Sequence, residues 1–129
     1  MARLQTVDRR HDLRLGIRHE FSLQPTSADA RQLEAVTTAY SHVLRDPDGN
    51  EIVAYHWHPD GVSSVRHPHL HLSNQIRPIE LGRNQAPLPL ADMHLATGVV
   101  PLAHVVRMLI EEFGVEPLRD DWDAVLPRS

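Results

Sequence analysis

The chain has 129 residues, a formal net charge of -4, no cysteine, and thirteen basic residues that are all arginine. Those counts exclude disulfides, thiolate metal sites and thiol nucleophiles, and equally Schiff-base lysine chemistry or a phosphate-binding P-loop lysine. They fit one domain over residues 1–129, with a core that needs no staples, and the acidic balance gives no general attraction to nucleic acid.

The amino-terminal stretch mixes arginines with Asp8, Asp12 and Glu20 and lacks the apolar core of a signal peptide. No run approaches the roughly 20 apolar residues of a membrane span, so a cytoplasmic protein with no membrane contact is expected. Leu13, Leu15, Ile17 and His19 alternate with Arg14, Gly16, Arg18 and Glu20, which predicts a half-exposed strand running to Leu23. Pro25 to Asp29 breaks it. A second strand is predicted over Ala35 to Arg45 and a third over Glu51 to His58, both rich in β-formers.

Between them, Asp46-Pro47-Asp48-Gly49-Asn50 reads as a tight hairpin turn with Gly49 in the left-handed position. Taken alone, that turn predicts Leu44 opposite Ile52, His42 opposite Ala54, Tyr40 opposite His56 and Thr38 opposite His58. Tyr40, His42, His56 and His58 would then share one face, with Ala39, Ser41, Val43, Val53, Tyr55 and Trp57 packed on the other. A fourth strand is expected near Val65 to Ser73. Residues 74–91 are Pro-rich and weakly patterned, as a loop covering the sheet would be.

Leu102, Val105, Val106, Leu109, Ile110 and Phe113 recur with helical spacing, Pro101 suits a first turn and Gly114 a C-terminal stop, so a helix is predicted from Pro101 to Phe113. Its buried residues are expected to be Leu102, Val106, Leu109 and Phe113. Asp120 or Asp121 is placed to cap a final short helix ending at Leu126. The fold class expected is α+β: a mostly antiparallel sheet of about four strands with a C-terminal helix packed on one face.

The chemistry concentrates in His56, His58, His67, His69 and His71, which fall in two alternating runs. Strand alternation sends residues i and i+2 to one face about 6.5 to 7 Å apart, so imidazoles in this pattern can converge on one target. His56 and His58 from one strand plus His69 or His71 from the next would make a three-nitrogen, open site for zinc or another divalent ion, with Asp60 and Asp92 the only acids placed near. Without a metal, the same histidines can act as acid and base on an RNA phosphodiester, with Arg66 or Arg77 holding the phosphate and Tyr40 adding a donor. The catalytic candidates are therefore Tyr40, His56, His58, His69 and His71; the substrate-binding candidates are Arg66 and Arg77. His42 and His94 stay undecided, while His11, His19 and His104 read as isolated histidines without a role.

Ser64-Val65-Arg66-His67-Pro68-His69-Leu70-His71-Leu72 resembles, over nine residues, the signature of the histidine-triad nucleotide hydrolases and transferases. A longer stretch, from Tyr40 and His42 through Tyr55-His56-Trp57-His58-Pro59 to Pro68-His69-Leu70-His71, resembles the TumE family of small bacterial toxins. That resemblance implies a cytosolic toxin with RNA-directed activity, held by an antitoxin protein. Three readings thus stand: a TumE-like, histidine-dependent phosphodiester hydrolase; a metal-dependent hydrolase; and a nonenzymatic module that binds a protein partner through an edge strand or apolar helix. Self-association into a homo-oligomer is left open.

Overall fold

Strands form where side chains alternate between a wet and a dry face, as they do from Leu13 to Glu20. In the computed structural model, which describes residues 2–6, 12–73, 75, 79–80, 87–88 and 90–128, the elements follow in a simple order. They are β1 (Ala2–Gln5), β2 (Asp12–Pro25), β3 (Leu33–Arg45), β4 (Glu51–Trp57), β5 (His69–Leu72), β6 (Ile79–Glu80), β7 (Pro87–Leu88), a 3-10 turn at Leu90–Asp92, β8 (Leu95–Ala96), α1 (Leu102–Glu111) and α2 (Trp122–Val125). The fold is α+β. Six strands form one sheet in the order β1-β2-β3-β4-β5-β8, every neighbouring pair antiparallel, and β6 pairs with β7 separately. The sheet is two strands wider than the four expected, because β1 and β8 are too short for alternation to mark them. None of the described helices is long and apolar enough to cross a membrane.

The turn between β3 and β4 forms as its residues dictate. Asp46 accepts the Gly49 N–H through its carbonyl and the Asn50 N–H through its carboxylate, and Gly49 takes a φ of +92° that L side chains avoid. The register beyond the turn differs from the expected one. Arg45 pairs with Glu51 but Leu44 pairs with Val53, so Ile52 is an extra residue, a β-bulge. Tyr40 therefore lies opposite Trp57, Ser41 opposite His56, and His42 opposite Tyr55. A one-residue slip exchanges faces. Tyr40 and His42 are thus on the face opposite His56, correcting the expected grouping, and Val53, Tyr55 and Trp57 part company with Ala39, Ser41 and Val43.

One face is apolar. Leu13, Leu15 and Leu44 on the sheet pack against Val105 and Leu109 of α1 and against Val115, with Leu4, Val53, Tyr55, Leu102, Met108 and Phe113 around them. Among the α1 stripe it is Val105, rather than the expected Val106, that belongs to the buried core. Gly114, with φ +64°, turns the chain so that the Val115 N–H reaches the Leu109 carbonyl. Asp121 occupies the N-cap position of α2 without a side-chain cap, its carboxylate being paired with Arg119. Buried Arg107 pairs with Glu111 within α1 and ties the helix to the C-terminal segment through Asp123 and the carbonyls of Asp123, Leu126 and Pro127.

The opposite face carries small residues and histidines: Gly16 on β2, Ser41 and Val43 on β3, Ala54 and His56 on β4, His69 and His71 on β5. Because Leu109 is only 2% exposed at the centre of the apolar cluster, Leu109→Ala is expected to cost about 2 to 5 kcal/mol in urea unfolding. A loss well under 1 kcal/mol would mean that α1 does not close this core.

Candidate metal centre

His56 and His69 are directly opposed across β4 and β5, and His71 stands two residues further along β5, opposite Ala54. Cross-strand and diagonal neighbours of this kind lie within reach of aromatic rings. Ala54 is fully buried, and its single methyl takes up little room opposite His71. The ring centres are 5.9 Å apart for His56 and His69, 5.2 Å for His56 and His71, and 5.0 Å for His69 and His71. Each ring offers one nitrogen, and these atoms all lie within 4.8 Å of one another.

Hydrogen bonds orient two of the three rings. His69 Nδ1 faces the His67 carbonyl at 2.8 Å and His71 Nδ1 faces the Ala91 carbonyl at 3.3 Å. A carbonyl only accepts, so each Nδ1 carries the proton and each Nε2 keeps its lone pair. That arrangement is how proteins prepare histidine for a metal. His56 Nε2 is buried and has no hydrogen-bond partner among the described residues. A sealed nitrogen with no partner is costly unless a bound group satisfies it.

Burial works against a charge on two of the three rings. Burial, and then the neighbouring His71, His58, His69 and His94, push the His56 pKa down from 6.5 to about 4. His69 is also lowered, chiefly by burial, against the opposing pull of the His67 carbonyl. No carboxylate belongs to the converging donor group among the described residues.

His58, His67 and His94 surround this trio. The His58 ring is 5.7 Å from His56 and lines a cleft of about 330 Å³ together with Arg18, Glu20, Thr38 and Asp60. The His67 ring, exposed, is 6.0 Å from His69. His94 approaches from the segment between the 3-10 turn and β8, with ring centres 4.9 Å from His69 and 4.5 Å from His71. In the sequence it stands twenty-odd residues from the nearest clustered histidine, and only its neighbours Asp92 and Met93 in a loop hint at a role.

Other candidates are placed elsewhere. Tyr40 is 1% exposed on the apolar face, where its hydroxyl accepts the Val100 N–H. His42 stacks on it at 4.9 Å, equally buried, with both ring nitrogens unpaired among the described residues. Burial lowers the His42 pKa, with His19 adding to the effect and the Val100 backbone partly offsetting it. Arg66 donates to the carbonyls of Pro59 and Gly61 and so fastens the loop after β4. Arg77 and His11 lie outside the described residues.

No protein-family model matches the chain, and no curated protein or solved structure matched it in the corresponding searches.

The pH dependence of stability follows from His56. Between about 4 and 6.5 the unfolded chain binds the proton that the folded chain refuses, so stability rises with pH across that window. Metal-free protein is therefore expected to lose melting temperature steadily as pH falls from 6.5 to about 4, and His56→Gln to flatten that part of the profile. A wild-type profile level over the same range would show that His56 protonates freely in the folded state.

Proposed function

We propose that the protein is a hydrolase dependent on a divalent metal ion held by His56, His69 and His71. The observation that carries this reading is the convergence of three imidazole nitrogens, one each from His56, His69 and His71, within 4.8 Å. Three neutral nitrogen donors on adjacent strands suit zinc and its borderline neighbours and leave a coordination position open. When bound, such an ion supplies Lewis acidity and brings the pKa of a water close to neutrality.

The chain's own groups then have separate tasks. His69 and His71 are held in one tautomer by the His67 and Ala91 carbonyls. His56 seals the inner side of the site. His58, on the rim next to the cleft, is placed to exchange a proton with a bound substrate, and Arg18, Thr38 and Asp60 offer it polar contacts. A metal-free mechanism would need a stable imidazolium as general acid, and burial, with crowding by like neighbours, works against one at His56. The TumE-like pattern of residues 40–71 makes an RNA phosphodiester the first substrate to try and an antitoxin protein the expected partner.

Protein stripped by chelator and titrated with zinc is expected to take up one ion per chain, and His56→Ala and His69→Ala to lose that uptake. Cleavage of an RNA oligonucleotide should vanish with chelator and return with the metal. Absence of stoichiometric metal from wild-type protein would overturn the reading. Uptake without any turnover would reduce it to a metal-binding module.

A further inference from the structure

The three donors on β4 and β5 leave one side of the cluster facing the segment that carries His94. Imidazoles sharing one tetrahedral ion through nitrogens at about 2.0 to 2.1 Å have ring centres roughly 5 Å apart. The His69–His94 and His71–His94 spacings of 4.9 and 4.5 Å fall in that range, as does the 5.0 Å between His69 and His71 themselves. His94 therefore keeps from two of the three donors the spacing a fourth ligand would keep, while its own nitrogens lie outside the group that converges within 4.8 Å.

Its anchorage differs from that of the other three. His56, His69 and His71 project from strands paired inside a six-stranded sheet. His94 sits between a single 3-10 turn and the two-residue strand β8, and its side chain is exposed. The segment is nevertheless registered against the site: β8 pairs with His69 and Leu70, the Thr97 N–H reaches the Pro68 carbonyl, and Ala91 supplies the acceptor for His71 Nδ1. Short, exposed segments of this kind open at low cost compared with central strands.

We propose that His94 is an exchangeable fourth ligand, occupying at rest the position that water or substrate takes when the 90–96 segment lifts. The inference rests on the metal reading above and adds its regulation. It makes the metal a clasp between the sheet and this segment, and it makes access to the open position depend on the segment's opening.

Cobalt(II), which reports coordination number through its visible absorption, tests this directly. Wild-type protein should bind one Co(II) with the intense bands of a tetrahedral site. His94→Ala, a change at an exposed side chain, should keep its melting temperature in the metal-free state, bind Co(II) roughly 10- to 100-fold more weakly, show the weaker bands of a site opened to solvent, and recover the tetrahedral spectrum on addition of free imidazole. Identical affinity and spectrum in wild type and His94→Ala would overturn the proposal. Complete loss of binding in His94→Ala would do so too, since His94 would then be a fixed ligand equal to the others. If wild type and His56→Ala alike bind no Co(II), the metal reading itself fails and takes this inference with it.

Discussion

Register is the constraint on which the rest of this structure depends. The bulge at Ile52 inserts one residue between the β3–β4 turn and the paired strands, and strand geometry converts that single insertion into an exchange of faces. With it, Val53, Tyr55 and Trp57 join the apolar side, where Tyr55 reaches Met108 of α1, and His56 joins the side that carries His69 and His71. Without it, His56 and the β5 histidines paired with it would lie on the face of Tyr40 and His42, toward the leucine core.

The two faces then solve different physical problems. The apolar face is a conventional core of leucine and valine closed by α1. The other face assembles polar rings at positions where burial is expensive, and it is kept thin to do so: Gly16, Ala39, Ser41 and Ala54 carry little side chain, leaving room for imidazoles and for the Arg45 guanidinium, which lies near Gly16. Hydrogen bonds from His69 and His71 to backbone carbonyls satisfy one nitrogen of each ring. What is left unsatisfied, the inner nitrogen of His56, is the group for which a shared ion gives a physical account.

Much of this was readable from residue order. The Asp46–Asn50 turn carries its own chemistry in the Asp46 carboxylate and Gly49, and α1 shows its stripe and its glycine stop. The bulge was not readable, because Glu51-Ile52-Val53-Ala54-Tyr55 has apolar residues at both parities, so either register gives each face something to bury. The histidine cluster survived the error because its convergence depends on β4 against β5, a pairing that the bulge leaves intact; the grouping of Tyr40 and His42 with it did not, because that depended on β3 against β4. His94 stays undecided in the sequence for another reason. A two-residue strand after a proline-rich stretch has no periodicity, and its contact with β5 is nonlocal.

The central claim is that one ion sits among His56, His69 and His71. Anomalous diffraction at the zinc absorption edge, from crystals grown with zinc, tests its position as well as its presence. The account predicts one strong difference peak within bonding distance of a nitrogen from each of the three rings. A structure with no peak there, or with zinc held only by surface carboxylates while the His56 ring finds a hydrogen-bond partner of its own, would contradict it.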